Sequence, residues 1–424
     1  MRRPKRSGRV AALIAVCFVI VGSAFVASGY AGSVGKTLAN AAFAVTPGTM
    51  SYTRGATTTA EEEKQPAPKP NVAHITTPDP LKAIYMTQCV VGTPSFRDTL
   101  VKLIDETELN AVVIDIRDYS GGIAFPTENP LLKTMISDTC GARDMKDFVA
   151  LLHEKGIYVI GRVTVFQNPI YTRLHPEHAV QKAGGGVWKD HKGLAFVDVG
   201  AQPYWDTVVA LAEESYAIGF DEINFDYIRY PSDGDMKSAV YIKRDGKTKQ
   251  EMLEDFFKYL NDKLPSEIVT SADLFGMVTT NTDDLNIGQV LERTLPYFDY
   301  VSPMVYPSHY PTGFNGWKDV NAVPYELMKF VMQSAVDRTT AATTPVDSLA
   351  HTRIGTSTPP IYSKPVYDKR KMRPWLQDFD YPVDYTPAMV EAQIRANEEV
   401  GLHSYMFWDP GNKYSSLKQV LKTE

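Results

Sequence analysis

The sequence predicts an α/β chain folded as a (β/α)8 TIM barrel with insertions, preceded by an N-terminal membrane segment and linker. Three observations predict it. From Leu81 onward, short β-branched or aromatic runs alternate with amphipathic helical segments, the rhythm of βαβ units around a parallel sheet. The runs number eight over roughly 340 residues, within the usual size of a barrel carrying insertions. No Gly-rich phosphate fingerprint follows an early strand, so a doubly wound nucleotide-binding sheet has no visible basis.

The first element is the membrane segment. Arg2, Arg3, Lys5, Arg6 and Arg9 precede an uncharged, largely apolar run from Val10 to Val26, and the next charge is Lys36. The run is long for a signal-peptide core, and with Ala27 to Ala31 it is long enough to cross a bilayer. The basic flank favours an N-in orientation. Residues 1–32 are therefore expected to be a signal-anchor or signal peptide. The anchor is preferred because no single small-x-small cleavage site stands out. The chain is expected at the cell membrane as a single-pass protein with an extracytoplasmic C-terminal domain, or secreted if the segment is cleaved. Residues 33–78, rich in Ala, Thr, Gly and Pro around Glu61, Glu62, Glu63 and Lys64, are expected to be a flexible linker. The barrel is expected over 79–424.

The eight strand-like runs are Leu81 to Met86, Ala111 to Ile116, Ile157 to Val165, Asp221 to Ile228, Ile268 to Leu274, Tyr300 to Tyr306, Arg373 to Gln377 and Ser404 to Trp408. Helices fill the gaps. Thr93 and Pro94 start one as cap and first-turn residue, Pro203 opens one with Trp205, Val209, Ala212 and Tyr216 inward and Gly219 as its stop, and Thr386-Pro387 open the last. The lengths Gln167 to Gln202, with a β-hairpin around Val187 to Val199, and Thr339 to Lys371 are expected as surface insertions.

Net charge −6, with no dense basic run beyond the N-terminus, removes the electrostatic footprint of nucleic-acid binding. Of three cysteines, Cys17 lies in the membrane segment. Cys89 and Cys140 could form a disulfide in an oxidising compartment or stay as buried thiols. No Cys/His spacing suggests a metal site, and no cofactor is called for.

In a barrel, the chemistry belongs at the C-terminal strand ends. In the run Asp221 to Ile228, period two turns Ile223 and Phe225 toward the helices and Asn224 and Asp226 into the mouth. An inward carboxylate must be used or paired, and the structural alternative is an ion pair of Asp226 with Arg229 or Arg117. Other strand ends supply Asp115, Asp118, Asp273, Asp378 and Asp409. Tyr306, His309, Tyr310, Trp375 and Trp408 accompany them. Carboxyl groups recurring with aromatics suit glycoside cleavage, which needs one protonated and one ionised carboxyl group beside a surface for sugar faces.

The phrases Val113-Ile-Asp-Ile-Arg-Asp118, Gly219-Phe-Asp-Glu-Ile-Asn-Phe-Asp-Tyr-Ile-Arg-Tyr-Pro231, Ser302-Pro-Met-Val-Tyr-Pro-Ser-His-Tyr310, Arg373-Pro-Trp-Leu-Gln-Asp-Phe379 and Trp408-Asp-Pro together resemble the DUF4015 glycosyl hydrolase barrel family over roughly Leu81 to Tyr414. The resemblance implies the barrel and a carbohydrate-related role. The fourth run is also similar to the signature of family 18 chitinases at Asp221, Asn224, Asp226, Tyr230 and Pro231. There, however, Ile228 and Arg229 occupy the stretch of the acidic Glu. By strand order, Asp226, Asp273 and Asp378 resemble the nucleophile, acid and helper of α-amylase-like barrels, with an Asp where the acid is usually Glu.

The expected function is glycoside hydrolysis of an extracellular or cell-envelope poly- or oligosaccharide, with Asp226 as nucleophile or base and Asp273 as general acid. Asp115, Asp118, Asn224, Arg229, Tyr306, His309, Trp375, Gln377, Asp378, Trp408 and Asp409 are expected around the sugar. The expected partners are a carbohydrate substrate and, through the N-terminal segment, the membrane. A noncatalytic carbohydrate-binding or envelope scaffold protein is the rival reading. An esterase ranks last for want of a G-x-S-x-G elbow.

Overall fold

The computed structural model describes residues 72–423, so the N-terminal segment and most of the expected linker lie outside the described residues. Among the described residues, no helix is long and apolar enough to cross a membrane. Eight parallel strands close a barrel in sequence order: β1 (Lys82–Met86), β2 (Ala111–Arg117), β3 (Tyr158–Thr164), β4 (Glu222–Asp226), β5 (Val269–Phe275), β6 (Tyr300–Met304), β7 (Trp375–Gln377) and β8 (Tyr405–Trp408). Every expected run becomes a strand, with ends moved by local chemistry. β4 stops at Asp226 because Tyr227 turns into the left-handed region at φ 51, where a non-glycine residue is strained. The β6–β7 seam has a single register pair, Met304 with Trp375. Val301 O accepts from Arg373 N and Val305 N donates to Trp375 O, so position 303 faces β7, and Pro303 has no N–H to give.

Outside the barrel lie α1 (Pro94–Asp105), α2 (Met145–Glu154), α3 (Gln202–Ile218), α4 (Lys249–Lys263), the short α5 (Leu291–Thr294), α6 (Pro324–Thr340) and α7 (Pro387–Glu399). Thr93 holds the N-cap position of α1, but its hydroxyl donates to Cys89 O rather than capping the helix. The buried face of α3 includes the expected Trp205 and Ala212 together with Tyr204, Val208, Leu211 and Ser215, and the expected Val209 and Tyr216 pack partly buried against the core. Tyr204 ties α3 to the barrel, its hydroxyl donating to Val165 O at 2.5 Å. Gly219 ends α3 at φ 122.

Apolar side chains form two layers. One sits inside the barrel around Ala83, Tyr85, Val113, Tyr158, Ile160, Trp375 and Met406, and a larger one fills the sleeve between strands and helices. The lower barrel interior is polar and paired. Glu222 and Arg373, both buried, form an ion pair, Tyr158 OH donates to Glu222 Oε2 at 3.2 Å, and the Arg373 guanidinium lies 3.6 Å from the centre of the Tyr300 ring. Residues 72–78, assigned from sequence to the linker, lie against this base. Ile75 N donates to Asp221 Oδ1 at 2.8 Å, His74 stacks on Tyr216 at 3.9 Å, and Thr77 Oγ1 meets Tyr158 OH at 2.9 Å.

The insertion after β3 is not peripheral. Trp188, Phe196, Val197 and Val199 are buried, and Gln181–Lys182 pairs with Ala239–Val240 of the β4–α4 connection. The expected hairpin is present in reduced form as the antiparallel Lys189–Ala195 bridge, turned by Asp190 Oδ1 accepting from Lys192 N and Leu194 N. The later insertion forms a small three-stranded sheet of Thr343–Thr344, Thr352–Ile354 and Ile361–Ser363. Cys89 and Cys140 are disulfide-bonded with Cα atoms 4.4 Å apart, which decides between the two options the sequence leaves open. A link across a separation of 51 residues removes conformational freedom chiefly from the unfolded chain.

Candidate active site

Pairing aligns Asp115 of β2 with Arg162 of β3, and Arg162 with Asn224 of β4. Because inward residues recur every second position, this register gathers Asp115, Arg162, Asn224, Asp226 and Asp273 near the C-terminal mouth. Arg162 is the hub. Its Nη1 lies 2.5 Å from Asp115 Oδ1, its Nε donates to Asp226 Oδ2 at 3.1 Å with Nη2 on the same oxygen, and its Nε is 4.0 Å from Asp273 Oδ2. Asp226 Oδ1 accepts from Tyr227 N at 2.5 Å, a bond that the left-handed turn at Tyr227 makes available.

Three carboxylates around one guanidinium cannot all ionise freely when withdrawn from water. Burial, and next the charge of Asp226, push Asp273 well above the ordinary carboxyl range. Asn224 Nδ2 at 2.9 Å and Trp375 Nε1 at 2.8 Å both donate to Asp273 Oδ1, which leaves Oδ2 to carry the proton. Burial raises Asp115 to about 6 against the pull of Arg162. Tyr85 hydrogen-bonds Asp115 Oδ2 and stacks on Trp408 at 3.8 Å, and the Arg162 guanidinium sits 4.9 Å from the Trp408 ring. A carboxyl group driven to keep its proton, beside a second one held by a guanidinium, suits acid/base cleavage.

The other sequence candidates divide by what they touch. Trp375 is buried with its N–H on Asp273, so it forms floor beneath the carboxyl group, while the half-buried Trp408 stands at right angles to it at 5.6 Å. Tyr306 lies near enough to Asp273 and Asp226 that, after burial, their charges further raise its pKa. Its ring meets His309 at 5.3 Å and Phe379 at 5.8 Å. Asp118 sits in the loop after β2, accepting from Ser120 N at 2.9 Å and Ser120 Oγ at 2.5 Å. Gln377 ties Ser308 to Phe379 and Tyr381, and Asp409 accepts from the backbone N–H groups of Gly411, Lys413 and Tyr414. These two hold loops.

The ion pair considered for Asp226 forms with a residue the sequence reading passed over. Arg229 donates instead to Tyr230 O at 3.0 Å and Ser232 Oγ at 3.2 Å, with its guanidinium 4.7 Å from each of the Tyr227 and Phe275 rings. A register shift between Asp115 and Arg117 places Arg117 toward α3, where its Nε donates to Thr164 O and its guanidinium faces Tyr204. Arg162 and Tyr85 were legible in principle, each being a polar-tipped residue on the inward phase of an otherwise apolar strand.

Asp378, accepting from Leu417 N at 3.2 Å, is raised to about 7, mainly by burial. A carboxyl group with a raised folded pKa favours the native state fully below its unfolded value near 3.8 and loses that contribution as pH rises through about 7. Asp378→Asn is therefore expected to raise the melting temperature relative to wild type at pH 8 but not at pH 4. Parallel profiles in a thermal scan across this range would contradict the assignment.

Residues 83–414 match the family described as "Putative glycosyl hydrolase domain" (DUF4015). Among solved structures, that of a hypothetical protein from Ruminiclostridium thermocellum ATCC 27405 is 30% identical, with 48% of this chain and 98% of that chain covered and a TM-score of 0.42. The PgaB (BpsB) glycoside hydrolase domain from Bordetella bronchiseptica is 12% identical, covering 81% of this chain and 99% of that chain with a TM-score of 0.53, a likeness of fold. No curated protein matches the chain.

Proposed function

We propose a reaction for this chain, which belongs to the DUF4015 family of glycosyl hydrolase domains: hydrolysis of O-glycosidic bonds in an extracellular or cell-envelope poly- or oligosaccharide. The observation that carries the proposal is the Asp226–Asp273 pair about Arg162, with one carboxyl group held by cationic and backbone donors and the other driven to keep its proton. In the proposed cycle, Asp273 gives its Oδ2 proton to the leaving glycosidic oxygen as the bond from that oxygen to the anomeric carbon breaks. Asp226 either takes a proton from the water that attacks that carbon, or attacks it itself. In the second case water, giving a proton to the now ionised Asp273, then breaks the bond between Asp226 and the anomeric carbon and restores both carboxyl groups. Arg162 holds Asp226 in place, and Asp115 supplies negative charge beside the oxocarbenium-like centre. The half-buried Trp408 offers its uncovered side to a sugar ring, with the buried Tyr306 beside the carboxyl pair, while Asp118, Arg229 and His309 stand farther from the pair.

The test is a screen of the purified protein against envelope glycans and exopolysaccharides that reads new reducing ends alongside binding. Saturable binding without any reducing ends on the bound glycan would favour the scaffold reading and defeat this one. The extracytoplasmic location is part of the proposal, supported by the basic flank, the apolar run and the Cys89–Cys140 disulfide. A tag placed after Glu424 is expected to be removed by protease added to intact cells, and full protection of the tag would refute export.

A further inference from the structure

In the insertion after β3, outside the carboxylate cluster, the turn His175-Pro-Glu-His178 gathers three metal-binding side chains whose ligand atoms all lie within 4.8 Å of one another. Glu177 Oε1 stands 3.6 Å from His175 Nδ1 and 3.9 Å from His178 Nε2. These separations exceed a hydrogen bond, yet they lie close to the roughly 3.4 Å edge of a tetrahedron with centre-to-ligand bonds of about 2.1 Å, as zinc forms with imidazole and carboxylate ligands. A second observation concerns orientation. Tyr171 OH lies 2.9 Å from His178 Nδ1, which fixes the ring and leaves Nε2 facing Glu177, the outer contact that metal-bound histidines characteristically make. The rings of Tyr171, His175 and His178 pack on one another, at 4.5 Å for Tyr171 with His175 and 5.6 Å for the two histidines.

The backbone that carries these groups is held independently of any ion. Asn168 caps the short helix Pro169–Leu174, His175 N donates to Tyr171 O, Gln181 Nε2 donates to Pro176 O, and Asp198 N donates to His178 O. The ligands therefore sit on a fixed turn. From this geometry we propose that His175, Glu177 and His178 bind one divalent cation of the zinc class, with solvent completing its coordination. Two imidazoles and one carboxylate are donors suited to zinc and its neighbours rather than to calcium or magnesium, which prefer oxygen throughout. The cation's role is local: it clamps the side chains of the single turn His175–His178, to which all three ligands belong. The same insertion carries the Asp190 turn, and Lys192 of that turn lies close enough to affect His309 at the barrel rim.

The experiment is calorimetric titration of ZnCl2 into the full-length, tag-free chain after dialysis against chelator. One equivalent of zinc is expected to bind, with CaCl2 and MgCl2 giving no saturable heat. His175→Ala and Glu177→Gln, at positions open to solvent, should each weaken binding at least tenfold with an unchanged melting temperature in chelator. Tyr171→Phe should weaken it by a smaller factor while leaving the stoichiometry at one. No saturable zinc binding, or one-to-one binding that survives the His175→Ala, His178→Ala double variant, would overturn the proposal.

Discussion

Asp273→Asn and Asp226→Asn are each expected to lower turnover by roughly 10² to 10⁴-fold, the usual cost of removing a positioned acid or base. Asp273→Asn is the cleaner variant. Its amide oxygen can still accept from Asn224 and Trp375, so the side chain should keep its place while losing the transferable proton. It also deletes a group whose ionised form is opposed by burial and by Asp226, so its melting temperature near neutral pH should be no lower than that of the wild type. Turnover and thermal midpoint measured together separate chemistry from folding. If both variants kept wild-type turnover, the pair would not be the catalytic one.

Arg162→Met is expected to be the most damaging single substitution in the mouth. It strips the counter-charge from Asp115 and Asp226 at once, and breaking a buried pair from one side typically costs about 3–5 kcal/mol. Losing the cation should raise the folded pKa values of the carboxyl groups it serves. By the same sign argument as for Asp378, the deficit should grow as pH rises from about 5 to 8. Denaturant titrations at both ends of that range read this directly. A loss equal at both pH values would mean that packing of the Arg162 stem, rather than its charge, sustains the site. Adding Asp226→Asn to Arg162→Met should recover part of the stability but no activity.

The barrel was legible because each strand is written in short runs of β-branched and aromatic residues, and a parallel strand buried on both faces tolerates little else. Period two at Ile223, Asn224, Phe225 and Asp226 was sufficient to point Asp226 inward. The partner of Asp226 was not legible, because it follows from the registers that align Asp115, Arg162 and Asn224 across three strands, and register is a property of the assembled sheet. The register shift before Arg117, which sends that arginine outward, left no local mark either. Asp409 looked like a site residue because Trp408 precedes it at a strand end, yet three backbone donors claim it. A short polar side chain at a strand end can serve a loop as readily as a ligand. The HxEH turn was passed over for a different reason. Its ligands are only two and three residues apart, and their convergence depends on the one-turn helix at Pro176–His178.

The strap of residues 72–78 and the last residues of the chain meet the barrel at the same pole. The strap binds Asp221, just before β4, while Thr423 bridges to Thr107 and Lys422 O accepts from Glu108 N, both just before β2. Strand starts and strand ends are opposite faces of such a barrel, so the described chain enters and leaves on the side away from Asp226 and Asp273. Residues 72 and 423, the ends of the described chain, thus lie behind the working face. A long glycan could then lie across the mouth and run past it in both directions without meeting the described chain ends.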